Sequence, residues 1–361
     1  MRVFKDKVVL ITGHTGFKGS WLSLWLNLLG AKVYGLSYNT VSSPSNYEVS
    51  DIDFVDEKFF DINDSKKVHS YIQHIQPDFI FHMAAQALVI KSYKDPLQTF
   101  HTNAIGTANV LDALRDLQKD VVAIMITSDK VYDNVEWIWG YKETDLIGGK
   151  DPYSASKGMA ELVIKSYLSS YFARDSNIKI GITRAGNVIG GGDWAKDRVV
   201  PDCVRSWSRG KTVEIRNPYS TRPWQHVLEP LSGYLNLARV LYSNSKLHGE
   251  AFNFGPLSNH HYSVKDLIIE MQKYWTNVRW EILNKDAVFH EAGLLKLNCD
   301  KALSRIKWKP TLEFAECVEM TISWYVNYYE KRMPVKEFSK NQINSFVKLA
   351  SDRSIDWANH E

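Results

Sequence analysis

Apolar and polar positions follow two rhythms along the first half of the chain. Val8-Val9-Leu10-Ile11 is an unbroken apolar run, the pattern of a strand covered on both faces. A helical period follows over residues 18–30 and stops at Gly30, a residue suited to closing a helix. Lys32–Leu36, Phe59–Ile62, Asp78–Ala84, Val121–Thr127 and Ile178–Thr183 repeat the strand pattern. Helical stretches stand between them: one capped by Asp64 and closed before Pro77, one over Asn103–Leu117, one over Tyr153–Phe172. This alternation predicts an α/β fold, a Rossmann-type doubly wound parallel sheet with right-handed crossovers.

Beyond residue 186 the rhythm breaks. Short apolar runs mix with Pro201, Pro218, Pro223, Pro230 and Pro256, and two amphipathic stretches lie near 263–275 and 312–331. The pattern predicts a first, Rossmann-type domain over 1–186, with some later segments returning to it. A smaller mixed α/β domain over 187–335 would cover a substrate. Residues 336–361 read as a polar tail to which the sequence assigns no role.

Composition narrows the class. The 361 residues are 44% apolar and 24% charged, with a net charge of +3, ordinary for a globular protein. No apolar stretch is long enough for a membrane span, and no basic run marks a nucleic-acid protein. The N-terminal residues lack a signal-peptide pattern. Cys203, Cys299 and Cys317 are scattered and odd in number, which points to a reducing, cytoplasmic setting. No Cys/His spacing resembles a zinc site.

Two motifs carry chemistry. Thr12-Gly13-His14-Thr15-Gly16-Phe17-Lys18-Gly19 sits between the first strand and the first helix. Glycines at spacings of three, Gly13, Gly16 and Gly19, permit a tight turn and let backbone approach a pyrophosphate at a helix N-terminus. Thr15, Phe17 and Lys18 lie in the same loop, within reach of a cofactor. The second strand ends Ser37-Tyr38-Asn39, without the carboxylate that grips an NAD ribose and without an arginine for a 2′-phosphate; the reading is NAD. Asp61 and Ile62 are placed to meet the adenine edge, with helix capping as the alternative for Asp61. The second motif is Tyr153-Ser154-Ala155-Ser156-Lys157. An i, i+4 pair shares a helix face, and a lysine there would lower the phenol's pKa so that it can accept a proton.

Together these motifs make the chain resemble the extended short-chain dehydrogenase/reductase family. Thr127-Ser128-Asp129-Lys130 resembles the acid-base pair of sugar-nucleotide 4,6-dehydratases, in the variant of the cytidine-diphosphate-glucose branch, where lysine replaces glutamate. GHTGFKGSWLSLW from Gly13, Ala84-Ala85-Gln86, Trp139-Gly140-Tyr141, AGNVIGGGDW from Ala185 and RPWQHVLEP from Arg222 agree. The resemblance covers residues 5–330. It implies bound NAD, oxidation at carbon 4 of a nucleotide-diphosphate hexose, loss of water across carbons 5 and 6, and return of hydride to carbon 6. Ser128 and Thr127 would steady the hydrogen bonds, Tyr153 and Lys157 serve the oxidation, Lys130 take the carbon-5 proton and Asp129 protonate the leaving hydroxyl; Thr127, Tyr153 and Lys157 would also touch the cofactor, the lysine holding its nicotinamide ribose. Ala84, Ala85 and Gln86 would line the cofactor, and Gln86 the substrate too. Asn187, Arg198, Arg216, Arg222 and His226 would hold the substrate, the arginines as guanidinium forks for its diphosphate. For the arginines, an exposed solvated role is the alternative; for His226, a satisfied pocket residue. The resemblance further implies dimerisation through helices near 100–118 and 153–172, and deoxysugars for surface polysaccharide as the product's fate. A 4-epimerase or reductase on the same scaffold would need Tyr153 and Lys157 but not Asp129-Lys130. A non-catalytic NAD-binding module would need neither.

Overall fold

The computed structural model describes residues 1–173, 176–257, 262–282 and 294–359. Seven parallel strands form one sheet: β1 Val8–Thr12, β2 Lys32–Ser37, β3 Asp56–Phe59, β4 Phe79–His82, β5 Val121–Ile126, β6 Ile178–Ala185 and β7 Ala251–Phe254, in the order β7-β6-β5-β4-β1-β2-β3. The chain moves outward from β1 through β2 to β3, then crosses back to β4 and runs the other way. The crevice above β1 and β4 is therefore the topological switch point at which such sheets bind ligands.

Helices cover both faces, which is why the central strands carry apolar residues on both sides. Helices α1 Phe17–Leu28, α2 Ser65–Ile75, α3 Gly106–Leu114, α4 Pro152–Ser170 and α5 Leu228–Ser243 are joined by α6 Phe314–Glu330 and α7 Val335–Asp352. On one face α2, α3 and Ile164 of α4 bury Leu10, Ile80, Ala123 and Ile180. On the other, α1, α5, α6 and α7 pack around Val9, Ile11, Phe81 and Ile124. Asp64 caps α2, its side chain accepting from the Lys67 amide, and Gly30 closes α1 at φ +76°. The stretches near 263–275 and 312–331 form helices Val264–Gln272 and Phe314–Glu330.

The third strand lies earlier than hydropathy places it, at Asp56–Phe59 and not Phe59–Ile62. It is the sheet's edge, and charged residues such as its Asp56, Glu57 and Lys58 protect an edge from aggregation. Ile62 instead packs beneath α3, its side chain filling the space over Gly106. The polar C-terminal stretch is also built in. Ile343, Phe346 and Ala350 of α7 are buried, and Phe346 meets Trp25 and Trp357. No helix among the described residues is long and apolar enough to cross a membrane.

Candidate active site

The glycine loop closes the end of β1. Gly13 adopts φ +80°, and a Cβ there would stand 2.8 Å from the Ala84 amide nitrogen. Gly19 is equally tight: a Cβ would collide with the Gly13 carbonyl. Gly16 is the N-cap residue of α1. The Thr12 hydroxyl donates to His82 Nδ1 at 2.8 Å and accepts from the Met83 and Ala84 amides at 3.2 Å, tying the ends of β1 and β4 together. His82 Nε2 meets Thr107 Oγ1 at 3.0 Å. Burial, reinforced by the Lys157 charge, pushes the His82 imidazole down to about 3, so it is neutral.

The flank of the glycine loop toward β2 and β3 is built around His14. Its buried ring meets Ser37 Oγ at 3.0 Å and Glu57 Oε2 at 2.9 Å, and Tyr47 donates to the same carboxylate at 2.9 Å. Thr15 donates its amide to Ser37 Oγ at 3.2 Å and its hydroxyl to the Asn39 carbonyl at 2.7 Å. β2 ends without a carboxylate, and the one nearby, Glu57 of β3, is bonded by His14 and Tyr47. Asp61 Oδ1 accepts the Asn63 amide at 2.9 Å, so this side chain shapes a turn while Asp64 does the capping. The glycine cradle and the open N-terminus of α1 fit a dinucleotide.

At the end of β5 stand Thr127, Ser128, Asp129 and Lys130, with Tyr153 and Lys157 facing them from the first turns of α4. Asp151 caps α4, accepting the Tyr153 and Ser154 amides at 3.0 Å. Ser128 Oγ donates to Asp129 Oδ1 at 3.0 Å and accepts the Lys130 amide at 3.2 Å, and its hydroxyl acts on the Tyr153 phenol. Asp129 is 5% exposed. Burial raises its carboxyl against the pull of Lys130, Ser128 and Lys18. Burial pushes the Lys157 ammonium down to about 8, opposed by Glu161, and its Nζ lies 3.5 Å from the Ile126 carbonyl. The phenol differs from the sequence expectation: burial pushes Tyr153 up to about 12, against the Ser128 hydrogen bond and the charge of Arg198. Desolvation outweighs the neighbouring cations in the chain alone.

Lys18 projects from α1 into the same centre. Its Nζ is 3.5 Å from Tyr234 Oη, and it feels the charges of Asp129, Lys157 and Arg198. Phe17 packs under Gly190. Gly186 stands over Asp129, 3.1 Å from Oδ2 to the position of a Cβ, so half-buried Asn187 follows directly beside the acid. Arg198 pairs with Asp193 at 2.7 Å and lies within the field of Tyr153. Arg222 is half-buried on Thr221–Arg222, its Nη1 donating to the Thr221 carbonyl at 2.9 Å.

Other predicted residues stand apart from this cluster. The Arg216 side chain is 56% exposed and 3.8 Å from Asp197. His226 is fully buried, edge-on to Trp21, and its Nδ1 accepts the Leu228 amide at 3.3 Å; this is the position of a pocket-wall residue. Gln86 is taken up locally: Oε1 accepts the Leu88 amide at 2.7 Å, and Nε2 donates to the Leu88 carbonyl and Thr99 at 3.1 Å. It pins the loop that carries Ala84 and Ala85.

Two groups escaped the sequence reading. Asn103, in a π-helical turn ahead of α3, donates to the Gln86 carbonyl at 3.1 Å and to Ser156 Oγ at 2.8 Å. Such turns concentrate at functional sites, yet one leaves no mark on hydropathy. Glu161 is fully buried against Arg184 and accepts from Thr127 Oγ1 at 2.8 Å. Its signal was present as a Tyr-x-x-x-Lys-x-x-x-Glu run on one helix face.

A parallel sheet with this cradle and this tyrosine–lysine pair defines an epimerase/dehydratase of the short-chain dehydrogenase/reductase class. Residues 10–321 match the family model described as GDP-mannose 4,6 dehydratase, and the chain belongs to that family. It is 43% identical over 327 residues to the CDP-glucose 4,6-dehydratase of Salmonella typhimurium, covering 89% of this chain and 91% of the relative. In fold it is similar to an epimerase from Methanothermobacter thermautotrophicus (TM-score 0.77, 22% identity, 93% and 96% of the two chains covered). It is likewise similar to DesIV, a dTDP-glucose 4,6-dehydratase from Streptomyces venezuelae solved with NAD and TYD bound (TM-score 0.73, 24% identity, 91% and 99% covered).

Proposed function

We propose that this protein is an NAD-dependent nucleotide-sugar 4,6-dehydratase whose substrate is CDP-glucose. The observation that carries the reading is Asp129. A buried carboxyl pushed toward its protonated form accepts from Ser128 at 3.0 Å, and the same hydroxyl acts on the Tyr153 phenol. An epimerase needs the tyrosine and lysine but has no use for a second acid there. The 43% identity to a CDP-glucose 4,6-dehydratase supports the same substrate.

NAD, when bound, supplies the hydride acceptor and a positive charge beside the phenol. Tyr153 accepts the carbon-4 hydroxyl proton, with Ser128 steadying it and the charge of Arg198 favouring the phenolate. The ketone at carbon 4 acidifies the carbon-5 proton, which Lys130 takes as a neutral amine. Protonated Asp129 gives its proton to the carbon-6 hydroxyl, which departs as water; the hydride taken from carbon 4 would then return to carbon 6 and Lys130 give a proton back to carbon 5, leaving the 4-keto-6-deoxy sugar and an oxidised cofactor. Arg198 and Arg222, with Asn187, hold the diphosphate; Arg216, exposed beside Asp197, takes a lesser part. Residues 1–186 carry the cofactor and most of 187–335 the sugar, while α5 and β7 return to the sheet.

The reading extends to a homodimer, supported by Ile105, Met159 and Leu162, which stand exposed on the helical stretches expected to pair. Three free cysteines support a cytoplasmic setting, and the product would feed deoxysugar synthesis for polysaccharide. The test is incubation of the purified protein with cytidine-, guanosine-, uridine- and thymidine-diphosphate sugars, read by mass. Loss of one water with CDP-glucose and not with the others is the expected result; no dehydration of any of them overturns the reading.

A further inference from the structure

Glu161 lies one turn beyond Lys157 on α4, on the face that carries Tyr153, and is wholly excluded from solvent. Its carboxylate is fixed from two directions. Oε1 accepts from Thr127 Oγ1 at 2.8 Å and from Arg184 Nε at 2.7 Å, while Oε2 takes Arg184 Nη2. Arg184 comes from β6. Its Nη1 donates to Tyr132 Oη at 2.8 Å and to the Glu143 carbonyl at 3.2 Å. Tyr132 donates onward to Asn253 Oδ1 of β7 at 2.8 Å. A buried ion pair this well anchored costs desolvation, and two apolar residues would fill the space as stably. Its place beside Lys157 gives it another use.

The groups around Lys157 make that use specific. Its own helix carries Tyr153 one turn before it and Glu161 one turn after; its charge acts on neutral His82 of β4 and on the cation Lys18 of α1, and Arg184 on β6 is engaged by Glu161. Among these neighbours Glu161 is the anion whose charge favours the ammonium. We propose that Glu161 is a positioning residue for the reaction: clamped by Arg184 and Thr127 one helical turn beyond Lys157, its carboxylate locks the end of β5 against the face of α4 that carries Tyr153 and Lys157. The proposal rests on the dehydratase reading for its kinetic consequence, but not for its effect on cofactor binding.

The test compares wild type with Glu161→Gln. Because that change leaves Arg184 buried and unpaired, the double variant Glu161→Gln/Arg184→Gln, which removes both charges, is measured beside it. Two profiles are recorded from pH 6 to 10 on protein shown to be folded by its melting transition: kcat with CDP-glucose, and NAD affinity by quenching of tryptophan fluorescence. A lysine that must be charged loses function as pH rises through its pKa. The alkaline limb is therefore expected to fall by about one pH unit in the folded variant, in both profiles. A folded variant whose NAD-affinity limb coincides with wild type overturns the proposal. If wild type shows no turnover at all, the dehydratase reading fails, and the affinity profile still decides the role of Glu161.

Discussion

Gly191 faces the indole of Trp324 with no room between them for a methyl group. The contact joins the glycine-rich loop after β6 to α6, more than a hundred residues on. Trp21 reinforces it from α1, donating Nε1 to the Gly191 carbonyl at 2.8 Å, and Tyr325 accepts the Asp193 amide at 3.0 Å. The loop that carries Asn187 and Arg198 is therefore seated on a wall of aromatic rings.

Gly191→Ala forces the wall or the loop to move. Overpacking of this kind costs about 1–3 kcal/mol. We expect a lower melting temperature together with a raised KM for the nucleotide sugar, since the diphosphate side is displaced while Tyr153 is not. An unchanged KM with only a lowered melting temperature would separate the loop from substrate binding.

Tyr153→Phe removes the proton acceptor and leaves the ring in place. A proton-transfer group contributes about 10²–10⁴ in rate, and kcat should fall by that factor with NAD affinity retained. Lys130→Ala should fall similarly. Near-full turnover by Lys130→Ala would place the carbon-5 base elsewhere.

Glu229 gives a stability prediction with a definite sign. Its carboxyl is fully buried and pushed up to about 8 by burial, although Thr311 and Leu312 donate amides to it at 2.9 and 2.6 Å. The folded pKa lies above the 4.5 of an ordinary glutamate carboxyl. Its contribution is thus complete below about 4.5 and is lost as pH rises through about 8. Urea denaturation of wild type should show stability declining between pH 5 and 8, and Glu229→Gln should flatten that decline. An identical slope in the variant would contradict the assignment.

Phe346→Ala tests whether the C-terminal helix belongs to the core. Phe346 is fully buried between Trp25 and Trp357, and loss of such a ring costs about 3–5 kcal/mol. Denaturant unfolding should show that loss. A loss below about 0.5 kcal/mol, the size seen at surface sites, would mean that α7 is dispensable.

What the sequence revealed follows from physics. Strands such as Val8–Thr12 and Val121–Ile126 are covered on both faces, and continuous apolar runs exposed them. The glycine cradle and the tyrosine–lysine pair were legible because backbone approach and helical spacing constrain residue type directly. The edge strand Asp56–Phe59 was misplaced because a protected edge is charged. Residues 336–361 were read as a plain tail because α7 buries only a narrow stripe around Ile343, Phe346 and Ala350. His226 and Gln86 were put forward from motif position, whereas their partners come from folded loops that spacing cannot foresee. The raised phenol of Tyr153 depends on desolvation, which no local sequence pattern records.

Oxidation of a sugar alcohol at carbon 4 lets carbon 5 lose its proton and carbon 6 its hydroxyl. Incubation with CDP-glucose in deuterium oxide, followed by mass spectrometry and proton NMR of the product, reads this out. The expected product is a 4-keto-6-deoxy sugar with one solvent deuterium at carbon 5 and no net consumption of NAD. A product of unchanged mass inverted at carbon 4, with no deuterium at carbon 5, would refute the dehydration.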